Sequence, residues 1–221
     1  MSARTGVVVA IDGPSGSGKS STSRGVAIRL GLRYLDTGAM YRAMTWWMLR
    51  HDVPVLDPTA VAGRCHEPEI RSGTDPRQPT ITVDGMDVAA AIRTPEVNGA
   101  VSPVSTVPQV RARLLELQHE AIDGGGIVVE GRDIGSVVAP DADVKVYLTA
   151  DASARAARRA AEEGVTDLAV TESSLLARDR IDSTRTASPL TMAEDAVHID
   201  STPYTLEEVV DLIVRMVEDR G

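Results

Sequence analysis

A single cysteine, Cys65, and only two lysines, Lys19 and Lys145, stand among these 221 residues. One cysteine excludes an internal disulfide, and with no partners at metal-site spacing it reads as a plain buried thiol. No apolar run reaches membrane-spanning length and no signal peptide opens the chain, so a cytoplasmic protein without a membrane partner is expected. Positive charge is scarce too. Against 32 Asp and Glu there are 23 Lys and Arg, a net charge of -9, which argues against nucleic acid as a partner. Nearly all the basic residues are arginine, so their positions carry information and their number does not. Internal repeats and low-complexity segments are also missing. With 43% hydrophobic residues the chain can bury a sizeable core, and its length suits one α/β domain with room for inserts.

What is present is a phosphate-binding loop. Gly13-Pro14-Ser15-Gly16-Ser17-Gly18-Lys19-Ser20 matches G-x-x-x-x-G-K-[ST] at every fixed position, with Ser21 following it into the nucleotide-binding set. The apolar run Val7–Ile11 before it reads as a buried parallel strand, and Lys19–Leu30 after it as a helix closing near Gly31. In that setting the glycines let backbone N–H groups curl around a polyphosphate, and the helix N-terminus adds the positive end of its dipole. Lys19 supplies a mobile cation for the β- and γ-phosphates, and the Ser20 hydroxyl can ligate Mg²⁺. The ligand implied is a nucleoside triphosphate.

Strand and helix signals alternate along the rest of the chain. Further core strands are expected at Leu32–Leu35, Ile127–Glu130, Val144–Leu148 and Ala196–Ile199, giving an α/β fold with a five-stranded parallel sheet flanked by helices. Among the helices, one runs from about Gly38 to Arg50 with Asp36 or Thr37 as its cap. Another covers Pro108–Ile122, with Val110, Leu114, Leu117 and Ala121 on one face. A third, Thr205–Val217, opens on the capping box Thr205-x-x-Glu208. Between residues 66 and 90 the pattern breaks. Glu69–Ser72 and Thr80–Val83 read as short strands, and Asp84-Gly85 signals a hairpin before Met86–Val88, so a small antiparallel insert is expected.

On the helix from Gly38, Met40, Ala43, Met44, Trp47 and Met48 fall at core spacing, while Arg42 lies roughly 200° around the axis from Met40. An arginine near a helix start opposes the macrodipole; a bound anion would explain it, as would an ordinary surface position. Ile127-Val128-Val129-Glu130 ends a core strand in a carboxylate. Ligands of doubly wound sheets sit at the carboxyl ends of strands, so Glu130, Arg132 and Asp133 would point into a site. Either Glu130 or Asp12 could hold Mg²⁺ through water. The Gly124-Gly125-Gly126 run reads as a flexible approach to the strand. Arg178, Asp182 and Arg185 would share one helix face, as a ligand set or as an exposed ion pair. Arg155, Arg158 and Arg159 fall at i, i+3 and i+4 after Asp151, either a lid over the triphosphate or a solvated face.

Taken together, the phosphate loop, Leu35-Asp36-Thr37-Gly38-Ala39-Met40-Tyr41-Arg42, Glu130-Gly131-Arg132-Asp133-Ile134-Gly135 and Asp182-Ser183-Thr184-Arg185 resemble bacterial cytidylate kinases, from about residue 6 to residue 215. The resemblance implies a single P-loop kinase domain over 1–221. Its core would lie at about 1–36, 104–150 and 166–221, its monophosphate-binding insert at about 37–103 and a helical lid at about 151–165. It implies transfer of the γ-phosphoryl group of ATP to CMP or dCMP, with Mg²⁺, by a protein that is a monomer. Lys19, Arg132, Arg155, Arg158 and Arg159 would be catalytic. Arg42, Arg132, Arg178 and Arg185 would hold the monophosphate; Asp133 with Arg111 and Ser102 would read the base; Tyr41 and Asp182 would lie near the ribose. Thr37 stands where the family often has Ser and keeps the hydroxyl. The loop near Ser201-Thr202-Pro203 would line the adenine pocket.

Arginine's fork suits a monophosphate, binding two oxygens at once without losing its proton. A carboxylate at Asp133 would accept from the 4-amino group of cytosine and repel the carbonyl that uracil carries there. Another P-loop small-molecule kinase, acting on UMP or shikimate, is the alternative. A GTPase would need an Asn-Lys-x-Asp guanine-reading motif, and this chain has none.

Overall fold

A computed structural model of the chain describes residues 6–163, 166–184 and 190–220. In chain order its elements are β1 (Val8–Asp12), α1 (Lys19–Leu30), β2 (Arg33–Asp36), α2 (Thr37–Arg50), α3 (Pro58–Arg64), β3 (Ile70–Ser72), β4 (Ile81–Val83) and β5 (Met86–Asp87). There follow α4 (Pro95–Ser105), α5 (Pro108–Ile122), β6 (Ile127–Gly131), β7 (Val144–Thr149), α6 (Ala152–Glu163), α7 (Leu168–Thr184), β8 (Val197–Asp200) and α8 (Leu206–Glu218). They fall into two compact units, one from Met1–Tyr34 with Gly124–Gly221, the other Leu35–Asp123.

The first unit is built on a five-stranded parallel sheet in the order β2-β6-β1-β7-β8. The register aligns Ile11 with Glu130 and Asp12 with Gly131, which brings the carboxyl ends of β1 and β6 side by side. Apolar strands buried on both faces demand helices above and below. On one side Val26, Ala27 and Leu30 of α1 pack with Val209, Ile213 and Val217 of α8 against Val9, Ile11, Val128 and Val146. The α8 capping box is present, Thr205 and Glu208 each accepting from the other's backbone N–H. Gly124-Gly125-Gly126 is a defined left-handed run, with φ of 80°, 62° and 64°, not a loose approach. A Cβ on Gly125 would lie 2.6 Å from Gly6, and Arg33 fastens the run by donating to Gly125 O and Gly126 O.

The second unit pairs the antiparallel sheet β3-β4-β5 with α2 to α5. Asp84 and Gly85 both take left-handed conformations, giving the hairpin turn whose twist matches its strands. Met40, Ala43, Met44, Trp47 and Met48 of α2 are all buried, and the Trp47 indole N–H donates to Asp84 at 3.0 Å. Asp36, not Thr37, caps α2, accepting from Ala39 N at 2.9 Å. On α5 the buried line is Val110, Leu114 and Gln118, spaced by four, so Leu117 and Ala121 are only partly covered. Cys65 is fully buried, its thiol donating to Ala62 O. No helix among the described residues is long and apolar enough to cross a membrane.

Candidate active site

The loop between β1 and α1 has the form its glycines require. Gly13 has φ +148°, and a Cβ there would come 2.0 Å from Leu148 O on β7, so no side chain fits. Gly18 precedes α1 in a left-handed conformation and offers no side chain to cap it, nor does the first turn hold an acidic residue. The opening amides of α1 are thus left to an anion, which the dipole favours. Ser17 is fully buried and its Oγ has no hydrogen-bond partner among the described residues. Ser20 and Ser21 are exposed.

Basic side chains converge on this loop. Lys19 Nζ donates to Pro14 O at 2.7 Å, Arg132 Nη1 to Gly13 O at 2.9 Å, Arg155 Nη1 to Ser15 O at 3.1 Å and Arg158 Nη1 to Ser17 O at 3.2 Å. Burial pushes the Lys19 ammonium down to about 7, the charge of Arg132 adding to the effect while Glu130, Asp12 and Asp179 oppose it. Arg155 and Arg158 come from α6, so the expected lid arginines face the loop, and Arg158 also holds Ser201 through Oγ and O. Arg159 lies on the same helix.

The carboxylates divide into separate roles. Asp12 ends β1 with both oxygens accepting peptide N–H groups, from Ile134 and Gly135 at 2.8 Å each. It fixes the single π turn Ile134–Val138, and burial raises its pKa to about 6 against those hydrogen bonds. Glu130, at the end of β6, accepts from Ser20 Oγ at 3.1 Å and Tyr34 Oη at 2.5 Å. Asp133 is 5% exposed at the head of the π turn. Asp182 on α7 is buried and pairs with Arg132 Nε at 2.7 Å, so it is not part of an exposed helix-surface ion pair. The side chain of Arg178 and the whole of Arg185 lie outside the described residues.

In the second unit, Thr37, Tyr41 and Arg42 stand on α2, Ser102 on α4 and Arg111 on α5. Arg42 donates to Asn98 Oδ1 and, at 3.3 Å, to Ile92 O. The Arg111 guanidinium lies 5.5 Å from the centre of the Tyr41 ring and donates to Ser105 O.

Two residues at the loop were not found by sequence reasoning. Asp179 on α7 pairs with Arg155 and accepts from Ser15 N at 3.4 Å. Its signal was the Asp179-x-x-Asp182 spacing, which puts both carboxylates on one helix face. Tyr34 had no local signal; its tie to Glu130 crosses 96 residues of chain.

The cytidylate kinase family model matches residues 9–219. A cytidylate kinase of Streptomyces avermitilis is 57% identical over 216 residues, covering 97% of this chain and 94% of that protein. One from Nocardia farcinica is 52% identical over 222 residues, covering 98% and 96%. A solved structure of an uncharacterized protein from Eubacterium ventriosum superposes with a TM-score of 0.55 at 11% identity, over 97% of this chain and 99% of that one, and shares the fold. With the family model matching residues 9–219 and relatives 57% and 52% identical over nearly the full length, the chain belongs to the cytidylate kinase family.

Proposed function

We propose that the protein transfers the γ-phosphoryl group of ATP to the phosphate of CMP or dCMP, giving ADP and CDP or dCDP. The observation that carries this reading is the ring of four cations, Lys19, Arg132, Arg155 and Arg158, each donating to a carbonyl of one phosphate loop. Such a concentration of donors in a protein of net charge -9 is made for a polyphosphate. An oxygen of the acceptor phosphate attacks the γ-phosphorus, and the bond to the β,γ-bridging oxygen breaks, leaving with ADP. The attacking oxygen is already ionised near neutral pH, so the protein supplies alignment and positive charge, not a base.

Lys19 and the loop amides hold the β- and γ-phosphates. Arg132, Arg155, Arg158 and Arg159 neutralise the oxygens that gain charge, and α6 excludes water so that ATP is not hydrolysed. Arg42, with Arg178 and Arg185, grips the acceptor phosphate. Asp133, Arg111 and Ser102 read cytosine; Thr37, Tyr41 and Asp182 position the rest of the nucleotide. Ser20 Oγ and Glu130 form a sparse oxygen set of the kind Mg²⁺ accepts when phosphates and water complete its shell. When bound, Mg²⁺ would offset charge on the triphosphate.

Phosphorus NMR of protein with ATP, Mg²⁺ and CMP tests the reaction: CDP and ADP should grow in equal amounts. Inorganic phosphate without CDP would mean an ATPase. Arg42→Ala should raise the KM for CMP roughly ten- to hundredfold, the value of a charged hydrogen bond, and move the KM for ATP little. An unchanged KM for CMP counts against that placement.

Binding should also be pH-dependent. With its pKa near 7, Lys19 is mostly neutral above that pH, and a bound polyphosphate pulls it back to the charged form. The complex then binds more protons than the protein alone, so affinity for ADP falls as pH rises above 7. Calorimetry at pH 8 in two buffers of different ionisation enthalpy should show proton uptake. Equal heats in both buffers would refute it.

A further inference from the structure

The Tyr34–Glu130–Ser20 chain has no assigned purpose in the reading above beyond the pairing of Ser20 with Glu130. Tyr34 is on β2 and Glu130 on its sheet neighbour β6, while Ser20 opens α1. Tyr34 is 2% exposed and Glu130 3%, so a phenol and a carboxylate meet in a dry setting. There the Tyr34 hydroxyl donates to Glu130 Oε1 at 2.5 Å, and the other oxygen, Oε2, accepts from Ser20 Oγ at 3.1 Å. Asp12, the carboxylate that ends β1, has both oxygens on the amides of Ile134 and Gly135 and serves the turn after β6.

We infer that Tyr34 is a positioning residue for the metal-nucleotide complex: its hydroxyl fixes one oxygen of Glu130 so that the other faces Ser20, where the divalent cation of the donor nucleotide is received. The inference rests on the proposed ATP-dependent reading of the loop. A carboxylate with a wandering torsion would present its charge to the loop only part of the time. Anchoring one oxygen from β2 removes that freedom, and buried hydrogen-bond partners that orient a metal-facing group commonly govern metal affinity. Tyr34 touches neither the phosphates nor the reacting atoms. Its effect is confined to the part of nucleotide binding that the metal supplies.

Tyr34→Phe removes only the hydroxyl, so it isolates the bond. The test is the Kd of ADP measured by calorimetry with Mg²⁺ and with EDTA, for wild type, Tyr34→Phe, Glu130→Gln and the double variant. The expected result is a metal-free Kd within about twofold of wild type in Tyr34→Phe, with about tenfold weaker binding in Mg²⁺. Glu130→Gln should lose at least as much, and adding Tyr34→Phe to it should cost nothing more. Equal losses with and without metal would make Tyr34 a packing residue, and an unchanged Mg²⁺-dependent Kd would make the bond incidental; either overturns the inference. Wild-type protein that bound ADP under neither condition would overturn the nucleotide reading and the Tyr34 assignment with it.

Discussion

Lys19→Met should give a folded protein that turns over about a hundred- to a thousandfold more slowly, the usual effect of deleting one preorganised charge from a transition state. The methionine keeps the buried stem and removes the cation that bonds to Pro14 O. Activity and stability should part company here. Folding lowers the Lys19 pKa from 10.5 to about 7, so the native state binds fewer protons than the unfolded chain between those values. Stability from this residue is therefore fully present above pH 10.5, falls steadily as pH drops from 10.5 to about 7, and levels off below that. Replacing the lysine removes that liability. The variant should melt within about 3 °C of wild type at pH 8 and gain on it at pH 6, as measured by circular dichroism. A variant that retained turnover, or that lost ground as pH fell, would contradict the role of Lys19.

Asp133→Asn should collapse the preference among pyrimidines. The carboxylate accepts from an amino group and repels a carbonyl, whereas the amide can donate to the 4-carbonyl of uracil. Asp133 is only 5% exposed, and mispaired polar groups without water cost about 1–3 kcal/mol each. The value of kcat/KM for CMP should fall roughly ten- to a hundredfold and that for UMP should fall less or rise. An unchanged ratio of the two would remove Asp133 from base recognition.

The sequence announced the phosphate loop and all five parallel strands, but every one of those strands ends one residue further along than expected. They end at Asp12, Asp36, Gly131, Thr149 and Asp200, where the expected strands stop at Ile11, Leu35, Glu130, Leu148 and Ile199. Backbone pairing does not care that the side chain has become polar, and the polar ends are where a sheet of this kind faces its ligands. Helices α3 and α4 were not anticipated. Both begin with a capping residue followed by proline, Asp57-Pro58 and Thr94-Pro95, a signal that was available. Gly99 and Pro103 inside α4 masked it, since both are poor helix formers; the helix is held by its buried Val97, Ala100, Val101 and Val104.

Long-range pairing was the part that no local pattern could reveal. Glu130 with Tyr34 joins the neighbouring strands β6 and β2, Arg132 with Asp182 ties the loop after β6 to α7, and Arg155 with Asp179 links α6 to α7; each depends on which elements become neighbours. Motif matching found Arg132, Arg155, Asp182 and Glu130 as separate residues. It did not show that Asp12 is occupied by backbone amides while Glu130 faces Ser20, a division set by the register of β1 beside β6.

One competition assay tests the central claim most directly. Limiting ATP with Mg²⁺ is offered to the protein alongside equal concentrations of CMP, dCMP, UMP and shikimate, and the phosphorylated products are resolved by mass spectrometry. CDP and dCDP should carry nearly all of the transferred phosphoryl groups. UDP or shikimate phosphate in tenfold excess over them would contradict the account, whatever the state of the phosphate loop.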